Sequence, residues 1–165
     1  MSFKIVLTTE QVTMASKVGL QRHRVHVQAR RHDAKVLSDG EAVHVQGALA
    51  EYAVALMLGR KWDGKLFDNE DWLQWRDHGH DVDGLEVRST KRPDGCLLLH
   101  PKDRDDAPFV LVIPESSLFT IRGWCFGREG KLPKYWRDVG YGRPCYYVPQ
   151  AVLRPTSSLR EETTQ

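Results

Sequence analysis

The chain has 165 residues, of which 41% are hydrophobic and 28% are charged, and this composition is typical of one globular domain. Its apolar runs are too short for a membrane span, its N-terminus is too weakly apolar for a secretory signal, and its three cysteines lack the spacing of a disulfide or zinc framework. We therefore expect a cytoplasmic protein with reduced thiols.

The net charge of +2 is unevenly distributed along the chain. Residues 17–35 carry a net charge of +5, residues 61–86 carry −5, and residues 122–143 carry +4. An acidic centre between two basic segments suits a metal-dependent enzyme that acts on a polyanion. Solvated surfaces produce similar blocks, so the charge pattern alone does not decide the function.

The chain begins with a short predicted strand at residues 3–7 and a basic helix over residues 9–33, capped by Thr8 or Thr9. Such a helix either follows a nucleic-acid backbone or lies on the surface of the domain. Its candidate contacts to nucleic acid are Arg22, Arg24, Arg30 and Arg31.

A second helix is predicted over residues 39–58, opened by a capping box of Ser38 and Glu41 and ended at Gly59. Glu51 is the one acidic residue between positions 47 and 58, and apolar residues flank it. An unpaired carboxylate in such surroundings is costly, so Glu51 should be solvated, paired or metal-bound. We also expect the glycine at position 47 to permit a close packing contact.

The acidic centre contains a strong hairpin signal, Asp83-Gly84 between two strand-like runs. With these residues as the turn, Asp81 lies opposite Glu86, and like charges at that spacing repel one another. A divalent cation is a common reason for facing carboxylates, whereas a solvated turn is the simpler alternative. Because Asp83 is in the turn itself, Asp81 is the preferred ligand.

The second strand of this hairpin alternates chemically, with Glu86 and Arg88 on one face and Val87 on the other. Just before the hairpin, His78 and His80 have a spacing that also suits metal ligation.

The remainder of the chain is predicted to form the sheet. Apolar runs at residues 96–99, 109–113 and 118–124 predict central strands of one sheet, followed by a short helix near Pro133 and a last strand at 145–148. The charged loop 100–106 should edge the active face. Residues 156–165 are polar and are predicted to be a disordered tail.

Taken in order, these features give an acid on a helix (Glu51), an aspartate at the start of a strand pair (Asp81), and an acid and a cation two residues apart on the next strand (Glu86 and Arg88). This pattern resembles the restriction-endonuclease-like superfamily of PD-(D/E)XK nucleases over residues 41–153. Small phage and bacterial members are also similar in two short segments, here Gly123-Trp124 and Val148-Pro149-Gln150.

The resemblance implies an α/β fold with a restriction-endonuclease-like central mixed β-sheet flanked by helices, so that residues 1–155 form one nuclease-like domain with its sheet core at 61–155. It implies metal-dependent hydrolysis of phosphodiester bonds in DNA. Mg²⁺, or Mn²⁺ in its place, would be bound by Glu51, Asp81, Glu86 and the carbonyl of Val87. DNA contacts would come from the basic segments, namely the four arginines above together with Lys102, Arg128, Lys131 and Lys134.

One departure from the family pattern concerns its lysine position, which here holds Arg88. Arginine stays protonated and cannot act as a general base, although it can hold a phosphate oxygen. Lys91 and Lys102 are candidate substitutes, but a regular strand would place Lys91 on the opposite face unless a bulge turns it. A catalytically inactive nuclease-fold protein that binds nucleic acid or a protein partner is therefore the alternative, and the oligomeric state is open, a homodimer included.

Overall fold

The computed structural model describes residues 2–29, 40–64, 81–138 and 144–162. The helices within these ranges are α1 (Thr9–Ala29), α2 (Gly40–Leu58), α3 (Gly127–Gly130) and α4 (Thr156–Glu162). The strands are β1 (Phe3–Val6), β2 (Glu86–Ser89), β3 (Leu97–Leu99), β4 (Pro108–Glu115), β5 (Leu118–Phe126), β6 (Trp136–Arg137) and β7 (Cys145–Val148). A 3₁₀ turn at Pro133–Tyr135 occupies the place of the predicted short helix.

The strands form two sheets. The larger sheet has the order β1-β5-β4-β2, with β2 parallel to β4 and the other pairs antiparallel, and the smaller antiparallel sheet has the order β3-β7-β6. The chain thus has a mixed α/β fold. The expectation that residues 96–99 lie in one sheet with residues 109–113 and 118–124 is wrong, because β3 belongs to the smaller sheet. Because β2 and β5 occupy both edges of β4, β3 pairs with β7 instead.

Strand β4 separates two hydrophobic cores. Val110 and Val112 pack in a cluster that includes Ala50 and Val54 of α2, while Phe109 and Leu111 pack in a second cluster that includes residues of the smaller sheet. This division follows from the alternation of side chains along a strand, which sends neighbouring residues to opposite faces. The continuous apolar sequence of β4 is therefore that of a strand buried on both faces.

Strands β4 and β5 form a tight hairpin. Glu115 pairs with Leu118, which leaves Ser116 and Ser117 as a two-residue loop, and Ser116 has a positive φ of 59°. The two strands that form the centre of the larger sheet are thus also neighbours in sequence.

Helix α1 is capped as predicted and packs closely on α2. Thr8 and Gln11 form a reciprocal cap, in which the Thr8 N–H donates to Gln11 Oε1 (2.9 Å) and the Gln11 N–H donates to Thr8 Oγ1 (3.3 Å). A Cβ at Gly19 would lie 2.5 Å from the Cα of Val45, so this glycine permits the close approach of the two helices. Among the described residues, nothing lies within 4 Å of a Cβ built at Gly47, so the expected close contact is not found there.

The predicted disorder of residues 156–165 is also wrong for the first seven of them, because Thr156–Glu162 form α4. Leu159 is fully buried in the same core as α2, and the indole Nε1 of Trp124 donates to Ser158 Oγ at 3.0 Å. The segment is polar except for Leu159, and this one apolar side chain anchors it in the core, so composition alone did not predict the helix.

Candidate functional site

The acidic hairpin is present in the predicted register. Asp83 and Gly84 both have positive φ (43° and 86°), and Val82 and Leu85 exchange hydrogen bonds across the turn at 3.1 and 2.8 Å. The Asp83 side chain is exposed and paired with Arg60, so it takes part in the turn and not in the site.

Asp81 turns back over the start of β2. Its Oδ2 accepts a hydrogen bond from the backbone N–H of Val87 at 2.8 Å, which fixes the carboxylate beside the strand. The preference for Asp81 over Asp83 as the functional aspartate agrees with this geometry.

The two faces of β2 have different surroundings. Val87 packs in the core below α2, and on the same face Ser89 Oγ accepts from Gln46 Nε2 of α2 at 2.8 Å. On the opposite face, the guanidinium of Arg88 lies 5.3 Å from the ring centroid of Phe109, which belongs to the second core. By alternation Glu86 shares this face, and its Oε2 lies 3.7 Å from Arg88 Nη1.

Glu51 lies on the other side of the strand, buried in α2 and engaged by two donors. Nη1 of Arg22, on α1, donates to Oε1 and Oε2 of Glu51 at 2.7 and 2.9 Å. The indole Nε1 of Trp62 donates to Oε2 at 3.2 Å. Arg22, predicted to contact nucleic acid, thus forms a buried ion pair that joins the two helices.

Two carboxyl groups near Asp81 have strongly raised pKa values. Burial first, and the charge of Asp81 second, raise the pKa of Glu51 to about 7, against the opposing effect of Arg22. Burial and then Asp81 likewise raise the pKa of Glu86 to about 7, with Arg88 opposing and Asp103 adding to the rise. The charge of Asp81 therefore raises the pKa of one acid on each face of β2.

These acids do not form a closed three-carboxylate site. Within the part of the chain that the structure describes, no group of three or more His, Cys, Asp or Glu side chains is arranged to hold a metal ion. The donor chemistry of Asp81 and Glu86 fits a hard dication, since both are carboxylates and Glu86 is repelled by its acidic neighbours. Glu51 has both oxygens bonded to Arg22, so its role as a ligand stays a prediction.

Asp103 is a member of the site that the sequence did not single out. Its Oδ1 lies 3.3 Å from Arg88 Nη2, and its Oδ2 accepts from the His100 N–H at 2.8 Å. The available signal was the charged loop 100–106, which was expected to edge the active face. Nothing local distinguishes Asp103 from the other acids of this loop, because its partner Arg88 is 15 residues away.

The predicted cations have different surroundings. Arg24, Lys91, Lys102, Arg128 and Lys134 are exposed. Lys131 instead donates to the backbone carbonyls of Asp103 (2.6 Å) and Pro101 (3.3 Å) and pairs with Asp105. Lys91 lies beyond the end of β2 at Ser89, so the alternation of that strand does not decide the face of its side chain. Four further candidates lie outside the described residues, namely Arg30, Arg31, His78 and His80.

Three histidines meet between α1 and α2. The His44 ring centroid lies 5.5 Å from that of His23 and 5.3 Å from that of His26. Burial, followed by the charges of His26, His23 and Arg22, lowers the pKa of His44 to about 4. His44 is therefore neutral at physiological pH and forms part of the packing between the helices.

No helix in the described ranges combines the length and apolar character that a bilayer crossing requires. Comparison of the chain with models of known protein families, with curated proteins and with solved structures gave no match.

Proposed function

We propose that this protein is a metal-dependent nuclease that hydrolyses phosphodiester bonds of DNA. The observation that carries the proposal is the acidic edge of β2, where Asp81 raises the pKa values of carboxyl groups on both faces and Arg88 lies beside Glu86. Asp81 and Glu86 are partly buried carboxylates that repel one another, and a bound cation would neutralise that repulsion.

The residues of the chain supply the binding and orientation in this proposal. Asp81 and Glu86 would hold Mg²⁺ or Mn²⁺, and Asp81 is oriented for this by its hydrogen bond from Val87. The metal, when bound, would polarise the phosphate and lower the pKa of the attacking water. Arg88 carries a permanent positive charge on the Glu86 face, where it would bind an oxygen of the phosphate.

The test is incubation of labelled linear, circular and branched DNA with Mg²⁺, Mn²⁺ or EDTA. We expect cleavage in either metal and none in EDTA. Asp81→Asn and Glu86→Gln should each lower the rate by about 100-fold or more, because each removes a charge from the cation site. Asp94→Asn changes an exposed acid in a turn and serves as the matched control.

Metal binding gives a second readout that does not require cleavage. If a dication binds Glu86, the proton that this residue holds near pH 7 must leave. Calorimetric titration with Mn²⁺ in buffers of different ionisation enthalpy should therefore show proton release at pH 6.5, and Glu86→Gln should abolish it. Metal binding without proton release would contradict the assignment of Glu86.

A second candidate is a catalytically inactive relative that only binds nucleic acid or a protein. The ion pair of Arg22 with Glu51 favours it, because the helix acid is bonded to a cation of the chain itself, and so does arginine at position 88. This candidate predicts salt-dependent DNA binding that survives Asp81→Asn and Glu86→Gln, with no cleavage in any metal.

A further inference from the structure

A stretch of exposed apolar and basic side chains follows the site in sequence. Leu132 and Trp136 are 38% and 41% exposed, and Lys134 and Arg137 beside them are also exposed. Because full burial of a large apolar side chain is worth about 1.5–3 kcal/mol, an aromatic side chain left partly exposed beside another apolar group indicates an interaction surface. We call residues 132–137 the aromatic rim.

The position of Trp136 in the small sheet explains its exposure. Trp136 pairs with Tyr146 across β6 and β7, and their rings meet edge to face with centroids 4.8 Å apart. Tyr146 in turn pairs with Leu99, which is buried in the second core. Since β6 is the last strand in the order β3-β7-β6, the indole extends the aromatic row beyond the core, where Tyr146 supports its orientation.

The charge of the rim favours a polyanion. Residues 132–137 contain two cations, Lys134 and Arg137, and no acid. Lys134 Nζ lies 4.9 Å from the ring centroid of Tyr135, which packs partly against the second core, and the exposed cations Lys134 and Arg137 precede and follow Trp136 in sequence. Basic side chains beside an exposed aromatic ring are typical of surfaces that bind single-stranded nucleic acid.

The rim begins at the proposed active face. Lys131 donates to the carbonyl of Asp103, whose carboxylate contacts Arg88. Trp136 lies five positions after Lys131, which bounds the distance between their Cα atoms at roughly 17 Å.

We propose that Trp136 is a stacking platform for an unpaired base, and that the substrate of the β2 site is DNA that carries unpaired bases next to the cleaved bond. The substrate assignment rests on the proposed nuclease function. The physical reason is that bases within a duplex are already stacked on their neighbours, so a flat exposed indole gains stacking energy only from a base that has left the stack.

The test measures DNA binding by fluorescence anisotropy with the cation chelated, so that the result does not depend on hydrolysis. The probes are a single-stranded oligonucleotide, a forked duplex and a continuous duplex of equal length. Trp136→Ala should weaken binding of the first two by about 5- to 100-fold, the equivalent of one lost stacking contact, and binding of the duplex by less than about twofold.

Three further variants complete the design. Trp136→Leu keeps the apolar volume without an aromatic face and should match Trp136→Ala, whereas Trp136→Phe should retain most of the affinity. Phe3→Ala removes an aromatic side chain of similar exposure (36%) from β1, at the far edge of the larger sheet, and should change nothing. Thermal melting checks that each variant is folded.

Two results would overturn the platform. An equal loss on all three probes would mean that the rim contributes only backbone electrostatics, and unchanged DNA binding with altered sedimentation of the protein would mean that the rim is a protein interface. A third result would separate the two proposals. If Trp136→Ala weakened binding only of the single-stranded and forked probes, while the protein cleaved no DNA in any metal, the platform would stand and the proposed nuclease function would be overturned.

Discussion

Asp81 is the residue on which the electrostatics of the site depend. Its carboxylate is fixed by the Val87 N–H and raises the pKa values of Glu51 and Glu86, which face different sides of β2. Without a bound cation, the repulsion between Asp81 and the two glutamates lowers the free energy of unfolding. The site should therefore be a place where stability and metal binding are directly linked.

The pKa of Glu86 predicts how stability depends on pH. Its value of about 7 in the folded protein exceeds its ordinary value of 4.5, so folding favours the neutral carboxyl. This contribution is fully present below pH 4.5 and is lost as the pH rises through 7. Glu86→Gln should therefore reduce the fall in the free energy of unfolding between pH 5 and pH 8 by about 2–3 kcal/mol, measured by urea unfolding.

The control for this prediction is Glu115→Gln, which alters an exposed carboxyl at the end of β4. It should leave the pH dependence unchanged. An equal fall for wild type and Glu86→Gln would show that Glu86 is not the group that titrates.

The ion pair of Arg22 and Glu51 predicts a strong coupling between α1 and α2. Arg22→Met leaves a buried carboxylate without its main partner and should lower the free energy of unfolding by about 3–5 kcal/mol. In the double variant Arg22→Met/Glu51→Leu the charge is also removed, so the loss should be smaller than in Arg22→Met alone. Additive losses in the two single variants and the double variant would contradict this account.

At the scale of helices and strands, substitution of two glycines of the α1–α2 pair by alanine should change stability in opposite directions. Gly19→Ala places a Cβ against the backbone of Val45 and should cost about 1–3 kcal/mol. Gly47→Ala adds a Cβ that meets no described residue within 4 Å, and because alanine favours a helix over glycine it should stabilise the protein by about 0.5–1 kcal/mol. Thermal unfolding measures both changes. A loss of stability in both variants would mean that Gly19 and Gly47 do not differ in how closely α1 and α2 pack around them.

The sequence predicted the elements whose causes are local. The Asp83-Gly84 turn, the cap at Thr8 and the end of α2 before Gly59 depend on residues a few positions apart, and the structure has all three. The predicted cap of α2 at Ser38 lies outside the described residues. It did not predict that Arg22 would pair with Glu51, 29 residues away, or that β3 would leave the main sheet. Those outcomes depend on which edges and helix faces meet in space, and the chain carries no local signal for them.

At the scale of the whole molecule, the C-terminal helix closes the core that contains α2. Leu159 is fully buried there, so Leu159→Ala should lower the free energy of unfolding by about 2–5 kcal/mol. Val152→Ala removes an exposed apolar group nearby in sequence and should change it by less than about 0.5 kcal/mol. If urea unfolding showed the same small change in the free energy of unfolding for Leu159→Ala as for Val152→Ala, α4 would not be part of the folded unit.

The two-residue loop between β4 and β5 has a consequence for the order of folding. A hairpin with so short a loop loses little chain entropy on closing, and it forms within microseconds in isolated systems. The parallel pairing of β2 with β4 must close a longer stretch of chain, so it should follow the hairpin. Amide protons that join β4 to β5 should then become protected early in refolding, and those that join β2 to β4 should become protected late. The acidic edge would thus be assembled on a scaffold that has already formed.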